Sequence, residues 1–336
     1  LNVDEAAKAA VRARELGIPA IAIFPHINAD KKNEGGDEAL DLLHELADDD
    51  EPESLITLGN FYWQGGPVEQ DPVRGRALFE RAAAAGHPLA QAFHTNLLAS
   101  GVFGTRDWPA ALARLAVEAH SNPERAQMLA ALQSMDVDED GGPRTMPRYE
   151  SLCDELEVRI YRGLFSSDEC RLVRAIAEPR YMRSVIHDAQ GNEVPHPLRS
   201  SDGAPLHWLI EDPAIHALNR RLAAASNTLY DQAEPLLVLR YKPGQQYHRH
   251  FDALAGLDNQ RIKTALVYLN EDYSGGETEF SRLGLKIKGR SGDVLVFANT
   301  DSSGQPHPLA EHAGLPVTSG TKYLGSRWIR EHRHLP

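Results

Sequence analysis

A repeat of about 36 residues constrains the first half of this chain more than any other feature. Pro52, Pro88 and Pro123 recur at steps of 36 and 35 residues. A glycine lies 13 residues after each of the first two prolines, and an aspartate lies 19 residues after each. A glycine in this position ends one helix and an aspartate caps the next, so each unit reads as two amphipathic helices. Such a fixed period predicts a helical solenoid.

The first unit also resembles a known helical repeat. The stretch LGNFYWQGGPVEQDPVRGRALFERAAAAGHPLAQ closely resembles the Sel1-like repeat. The second unit, LLASGVFGTRDWPAALARLAVEAHSN, keeps the skeleton but lacks the Leu-Gly pair and the tyrosine. An ordinary helical bundle is the alternative. We expect residues 47–136 to form a Sel1-like, TPR-like α-helical solenoid.

Residues 1–46 fit neither the repeat nor the second half of the chain. The stretch ELGIPAIAIFPHINADKKNEGGDEAL resembles a segment of porphobilinogen synthase. The chain cannot supply the long barrel of that enzyme and lacks its paired active-site lysines, so we assign this segment no activity. We interpret it as a fused remnant or the result of a start site placed too early. Because the chain opens on Leu1 rather than Met, a true start upstream is also expected.

Charge and cysteine content exclude several classes of protein. The formal net charge of −13 at pH 7 argues against binding to nucleic acid or to anionic membranes. No apolar run approaches the ~20 residues that span a bilayer. Cys153 and Cys170 lack the C-x-x-C spacing, which argues against a zinc site and against a disulfide framework. We expect a soluble protein of the bacterial cytoplasm.

The sequence changes character after residue 136. Residues 137–147 are charged and rich in Gly and Pro, which is typical of a linker. FSSDECRLVRAIAE then predicts a helix capped by Ser166 or Ser167. Four strand-like runs follow between glycine-rich turns, namely PLLVLRY, TALVYLN, DVLVF and KYLGSRWI. Residues 148–336 are therefore expected to form a double-stranded β-helix (a jelly-roll, cupin-like domain), which makes the chain a two-domain α+β protein.

The stretch YHRHFDAL contains an H-x-D triplet, which puts His250 and Asp252 on one face if the chain is extended there. Alone it is weak evidence, since about one such triplet is expected by chance in this chain. His312 lies sixty residues beyond Asp252, and Lys322 stands ten residues further on at the head of a strand. Two histidines and a carboxylate are the ligands of non-haem Fe(II) oxygenases. A lysine that points into such a domain requires an anion as partner.

Residues 157–331 resemble the procollagen-type prolyl 4-hydroxylase family of Fe(II)/2-oxoglutarate dioxygenases. The matching pieces occur in family order: FSSDEC, RSSDGA, LRYKPGQQYHRHFD, QRIKTALVYLNEDYSGGETEF, GDVLVF and HAGLPVTSGTKYLGSRWI. The resemblance implies that the protein needs Fe(II), 2-oxoglutarate and O2, with ascorbate as a candidate reductant. It implies release of succinate and CO2 coupled to hydroxylation of a peptidyl proline at C4.

The resemblance also implies roles for individual residues. His250, Asp252 and His312 match the iron ligands, and Lys322 matches the partner of the distal 2-oxoglutarate carboxylate. Further matches are Tyr241 and Thr278, at positions that hydrogen-bond the co-substrate, and Arg261, Glu234 and Trp328, at positions near the peptide substrate in some members.

These softer assignments have structural alternatives. Tyr241 and Thr278 also fit ordinary strand positions, Trp328 a core position, and Arg261 a solvated loop. His248 and His307 are rival metal ligands. However, His248 has the wrong parity on its strand, and His307 lacks the H-x-G-x-P-V frame of His312. For Tyr241, Thr278, Trp328 and Arg261, a structural role therefore remains an alternative to the functional one.

Three functions are compatible with the sequence. The first is a peptidyl-prolyl 4-hydroxylase whose proline-containing protein or peptide substrate docks on the Sel1-like repeats. The second is the same oxygenase chemistry on another side chain, a free amino acid or a small molecule. The third is a Sel1-type scaffold with an inactive oxygenase domain. The complete triad together with Lys322 argues against the third.

Overall fold

The computed structural model describes residues 36–187, 193–195, 198–254 and 256–334. Two compact units are present, one ending at Glu118 and the other beginning at Ala119. Most of the segment 1–46, for which the sequence predicted no activity, lies outside the described residues. None of the helices in the described ranges has the length and hydropathy of a membrane span.

The first unit consists of helices that follow one another closely along the chain. Each of them packs against the next. The helices are α1 (Gly36–Asp48), α2 (Pro52–Gln64), α3 (Pro72–Ala84), α4 (Pro88–Ser100) and α5 (Trp108–Glu118).

The helix ends lie where the repeat predicts them. Gly65 and Gly101 follow the last residues of α2 and α4 with φ of +78° and +74°, which an L side chain rarely adopts. Asp71 and Asp107 each accept a hydrogen bond from the backbone N–H three residues on, at 3.0 and 2.9 Å. These bonds satisfy otherwise unpaired donors at the starts of α3 and α5.

Close backbone contact and aromatic packing hold the first unit together. A Cβ atom added at Gly75 of α3 would lie 2.8 Å from the carbonyl oxygen of Gly59 in α2, so neither helix tolerates a larger residue there without moving. Beside this contact, the ring of Trp63 lies 5.8 Å from that of Phe79 and 5.1 Å from that of Phe103, centroid to centroid. The small residues thus bring the helices close enough for the rings to interlock.

Among the residues described for the second unit are three α-helices and sixteen strands. The helices are α6 (Pro123–Ser134), α7 (Ser167–Ala177) and α8 (Pro213–Ser226). The strands are β1 (Tyr149–Cys153), β2 (Val158–Tyr161), β3 (Met182–Arg183), β4 (Val185–His187), β5 (Glu193–Pro195), β6 (Asp202–Leu206), β7 (Leu236–Tyr241), β8 (Tyr247–His250), β9 (Arg261–Tyr268), β10 (Tyr273–Gly275), β11 (Thr278–Phe280), β12 (Leu285–Ile287), β13 (Val294–Ala298), β14 (His312–Gly314), β15 (Val317–Gly320) and β16 (Lys322–Arg330).

Two antiparallel sheets dominate this unit. The larger has the strand order β1-β2-β13-β9-β16-β7-β6-β3, and the smaller has the order β12-β11-β14-β8. The four strand-like runs of the sequence become β7, β9, β13 and β16, which are neighbours in the larger sheet. Side chains from both sheets, such as Leu239 and Leu324 from the larger and Phe280 from the smaller, share one buried core. The expected α-helical and β parts are confirmed, and the antiparallel β part is consistent with a jelly-roll.

The helix predicted to follow residue 165 is confirmed with its cap. Ser166 accepts a hydrogen bond from the backbone N–H of Glu169, and the Glu169 carboxylate accepts one from the backbone N–H of Ser166. This reciprocal pair is a capping box. Arg221 of α8 then reaches the same carboxylate at 2.9 Å, which joins α7 to α8.

The division between the units differs from the predicted domain boundary. The sequence placed residues 123–136 in the repeat domain and residues 137–147 in the linker. In the structure α6 packs against α7 and α8, within the second unit. The helix that begins at Pro123 starts in the same way as the helices of the repeat. However, the sequence that follows it lacks the second helix that would complete a third repeat unit. The buried residues of α6 are Arg125 and Leu132, and the helix packs against α7 and α8 instead.

Candidate metal centre

Pairing of two short strands brings the predicted metal ligands together. In the antiparallel ladder between β8 and β14, His250 lies directly opposite His312. Asp252 follows two residues after β8, in a bend rather than on the strand itself as the sequence suggested. Its Oδ1 lies 3.5 Å from Nε2 of His250, and its Oδ2 lies 3.6 Å from Nε2 of His312. One potential donor atom from each of the three residues lies within 4.8 Å of the other two, so a single metal ion could contact all three.

Both imidazole rings are fixed in the tautomer that a metal needs. Nδ1 of His250 lies 2.8 Å from the carbonyl oxygen of His248, and Nδ1 of His312 lies 2.9 Å from that of Ala310. Because a carbonyl only accepts hydrogen bonds, each Nδ1 carries the proton and each Nε2 presents its lone pair to the centre. Burial lowers the pKa of His312 to about 4, so this ring is neutral at physiological pH.

The carboxylate of Asp252 completes the donor set. Its burial would raise the pKa of the side chain, but the two histidines and a hydrogen bond from Thr264 outweigh that effect and hold the pKa below its ordinary value. The group is therefore an anion in a largely buried site. Two imidazoles and one carboxylate are the donors that non-haem Fe(II) sites use, so these residues fit the metal.

The two rival histidines lie outside this centre. His248 is exposed and contributes only its backbone carbonyl to the ring of His250. His307 accepts a hydrogen bond from the backbone N–H of Leu309 through Nδ1, at 3.2 Å, and so caps the short turn that precedes β14. The histidines that the parity and frame arguments selected are therefore the ones that cluster with Asp252.

A cavity joins the triad to Lys322, Tyr241 and Thr278. Alternate residues of β16 form one of its walls, because successive side chains of a strand point to opposite faces. These wall residues are Lys322, Leu324, Ser326 and Trp328. A single strand therefore runs from the predicted co-substrate end of the cavity to the predicted substrate end.

Lys322 is a buried cation that faces this cavity. Its side chain is 2% exposed, and its Nζ donates to the carbonyl oxygen of Gly276 at 2.7 Å. Burial lowers its pKa to about 8, partly opposed by the nearby charge of Glu277. Across the described residues, no carboxylate pairs with this ammonium group. A buried ammonium group without a carboxylate partner is costly, and an anionic ligand in the cavity would remove that cost.

The other two predicted co-substrate residues, Tyr241 and Thr278, line the same cavity as this lysine. Tyr241 is directly opposite Lys322 in the β7–β16 ladder and is 3% exposed. The hydroxyl of Thr278 lies 3.0 Å from that of Tyr268. Tyr268 was not among the residues singled out from the sequence. The signal for Tyr268 was a tyrosine inside the apolar run TALVYLN, where a buried hydroxyl needs a partner.

The three residues predicted near the substrate also come together, although only Trp328 lines the cavity. Arg261 binds the carboxylate of Glu234 through Nε and Nη2, at 2.6 and 2.8 Å. The guanidinium carbon of Arg261 lies 4.1 Å from the centre of the Trp328 ring. Arg330, which the sequence did not single out, binds the same carboxylate at 2.7 Å. Arg261 is thus a largely buried, doubly bonded residue and not a solvated loop charge.

Sequence reasoning also missed the ring that orients the first ligand. Tyr247 stacks on His250 with ring centroids 3.5 Å apart and an angle of 12° between the planes. The two residues are three apart in the sequence, so simple strand parity gives no reason to pair them. Their contact depends on the local path of β8.

Comparisons with known proteins identify a family for the second unit. Residues 236–330 match the model of the 2OG-Fe(II) oxygenase superfamily. Prolyl 4-hydroxylase 1 of Arabidopsis thaliana is 33% identical over 194 residues, which are 52% of this chain and 69% of the plant protein. A putative prolyl 4-hydroxylase of Acanthamoeba polyphaga mimivirus is 36% identical over 138 residues, covering 38% of this chain and 57% of the viral protein.

A solved structure is also similar to this chain. The viral collagen prolyl hydroxylase of Paramecium bursaria Chlorella virus-1, in its complex with 2OG, is 28% identical. The match covers 53% of this chain and 98% of the viral one, with a TM-score of 0.41.

The geometry of the triad predicts which histidines bind metal. Replacing His250 or His312 with Ala removes one of three protein ligands, and we expect metal content after anaerobic Fe(II) loading to fall from about one ion per chain to nearly none. His248→Ala and His307→Ala are matched controls that should keep full occupancy. Metal analysis after gel filtration measures this directly. Full occupancy in the His312→Ala protein would show that the ion binds elsewhere.

Proposed function

The chain belongs to the prolyl 4-hydroxylase family of the 2OG-Fe(II) oxygenases, and we propose that it hydroxylates C4 of a proline in a protein or peptide substrate. One observation carries the proposal: the His250–Asp252–His312 triad and the buried cation of Lys322 line the same cavity. A divalent metal held by the triad would bind the 2-oxo acid end of 2-oxoglutarate, and Lys322 would bind its distal carboxylate. The names of the plant and viral relatives support proline as the residue that is modified.

The side chains of this protein would position the reactants. Bound Fe(II), with 2-oxoglutarate and O2, supplies the oxidising power that releases succinate and CO2 and transfers one oxygen atom to the substrate. The triad would supply three protein ligands to the metal and would leave room for the co-substrate and O2. Lys322 holds the distal carboxylate of 2-oxoglutarate through a charge-assisted hydrogen bond, and Tyr241 and Thr278 bind the same co-substrate.

The substrate end of the cavity is shaped by apolar and aromatic groups. Leu239, Leu324 and Trp328 line it and restrict access of water. Arg261, which is held by Glu234, lies over the Trp328 ring and restricts its movement. A ring held in this way is suited to contact a prolyl group. A rigid aromatic surface binds a ring substrate with little loss of side-chain entropy. We propose ascorbate as the reductant that sustains turnover.

Turnover with a peptide panel tests the proposed reaction. Fe(II)-loaded protein should convert 2-oxoglutarate to succinate faster in the presence of a proline-containing peptide, and mass spectrometry should find the peptide heavier by one oxygen atom. His250→Ala should lose both signals, by roughly 10³-fold or more, because the metal is lost. Succinate without a modified peptide would favour another substrate. Absence of iron-dependent turnover would favour the inactive scaffold.

The pKa of Lys322 predicts how co-substrate binding depends on pH. Below about pH 8 the lysine is protonated and pairs with the distal carboxylate, so the affinity for 2-oxoglutarate should be constant. Above that pH, binding must take up a proton, and the affinity should fall by up to about tenfold per pH unit. Calorimetry from pH 7 to 9.5 measures this. Lys322→Gln should bind weakly at every pH and lose the dependence, whereas the exposed Lys286→Gln should retain it.

We also propose that the helices before Ala119 are Sel1-like repeats that dock a protein substrate. Their regular succession and their cap positions support the repeat assignment. Repeat units of this kind offer extended surfaces for protein binding.

Deleting residues 1–118 tests the docking role. The cut keeps α6, which packs within the second unit. We expect kcat/KM for a short peptide substrate to be unchanged. That result would also show that the remaining unit is folded. When the same peptide sequence is part of its parent protein, we expect the deletion to lower kcat/KM by about 100-fold, because the protein can no longer dock on the helices. Equal losses on peptide and protein would contradict docking by the helices.

A further inference from the structure

Two hydrogen bonds connect the carboxylate of Asp252 to the larger sheet. Thr264 Oγ1 donates to Asp252 Oδ2 at 2.7 Å, and Asn299 Nδ2 donates to Thr264 Oγ1 at 2.9 Å. Thr264 and Asn299 are fully buried, and Asp252 is 4% exposed. We propose that Thr264 and Asn299 are positioning residues that hold Asp252 in its metal-binding orientation and thereby raise the affinity of the site for a divalent metal. The inference rests on the metal site of the proposed function.

The chemistry of the three groups sets the direction of both bonds. An ionised carboxylate only accepts hydrogen bonds, so the hydroxyl of Thr264 gives its single proton to Asp252. The threonine oxygen then has only lone pairs left, and the amide nitrogen of Asn299 must face it. Turning that amide by half a rotation would set its oxygen against another acceptor. Asn299 therefore fixes the hydroxyl of Thr264, which in turn fixes the carboxylate.

Thr264 and Asn299 lie in or directly beside the larger sheet, whereas Asp252 lies in a bend that follows the smaller sheet. Thr264 lies in the middle of β9, between β13 and β16, in the interior of the larger sheet. Asn299 directly follows β13, and its backbone N–H donates to the carbonyl oxygen of Ile262 at 2.8 Å. Asp252 lies in a bend after β8, the last strand of the smaller sheet. The hydrogen bond thus anchors a ligand in a bend to the most regular part of the unit.

Asp252 differs from the two histidines in where its support comes from. Each histidine is oriented by a carbonyl two residues earlier in its own segment. Asp252 is oriented across the space between the two sheets. Without Thr264, the carboxylate is free to turn away, or to bind the metal with both oxygens and take a position that the co-substrate needs. Supporting partners of this kind change metal affinity by roughly 10- to 100-fold.

Metal binding to the full-length protein tests the inference without relying on turnover. Thr264→Val keeps the shape of the side chain and removes the donor, whereas Thr264→Ser keeps the hydroxyl. We expect the Mn²⁺ dissociation constant, measured by calorimetry on metal-free protein, to rise by roughly 10- to 100-fold in Thr264→Val and to stay close to wild type in Thr264→Ser. The visible spectrum of the Co²⁺-loaded protein should also change in Thr264→Val, because a rotated carboxylate alters the coordination.

A second variant keeps the test decisive if Thr264→Val folds poorly. Asn299→Ala leaves the threonine in place but removes the group that fixes its hydroxyl, and it should weaken Mn²⁺ binding in the same direction by a smaller factor. Melting temperatures without metal separate this effect from loss of fold. Equal Mn²⁺ affinity in wild type and in folded Thr264→Val and Asn299→Ala proteins would overturn the positioning role alone. Failure of the wild-type protein to bind Mn²⁺ would overturn the proposed metal site as well.

Discussion

The register of the β8–β14 pair is the constraint on which the catalytic part of the structure depends. His250 and His312 are far apart in the sequence and meet only because they lie opposite each other in this short ladder. A slip of one residue would turn one of the rings to the other face of the sheet, since side chains alternate along a strand. Phe280 and Phe297, whose rings lie 5.5 and 4.9 Å from that of His312, pack around it on the inner side and favour the observed register.

Local signals in the sequence were sufficient for the predicted helices, for four of the strands and for the choice of candidate metal ligands. The caps at Ser166 and Asp71, the four strand runs, and the choice of His312 over His307 all depended on residues a few positions apart, and the structure agrees with each. Contacts between distant segments were not predictable in this way. Thr264, Asn299 and Arg330 act through partners that are 12 to 96 residues away, and nothing in their own neighbourhoods distinguishes them from ordinary strand or loop residues.

The boundary between the units is a second feature that local sequence signals did not predict. A proline followed by a helical pattern predicts a helix at residue 123 correctly, but it does not say which surface covers that helix. In the repeat, α6 has no following helix to pack against, so it packs against α7 and α8, with Arg125 and Leu132 buried. Periodicity identifies a repeat unit, whereas membership in a domain is decided by the partner that buries it.

The buried ammonium group of Lys322 has a consequence for the stability of the protein. At neutral pH the folded chain keeps this charge in an apolar pocket, at a free-energy cost that the unfolded chain does not have. A dicarboxylate that enters the pocket neutralises the charge and binds only the folded state, so it shifts the folding equilibrium by mass action. Scarcity of 2-oxoglutarate would then leave more of the chain open to proteolysis, and the lifetime of the protein would follow the supply of its own co-substrate.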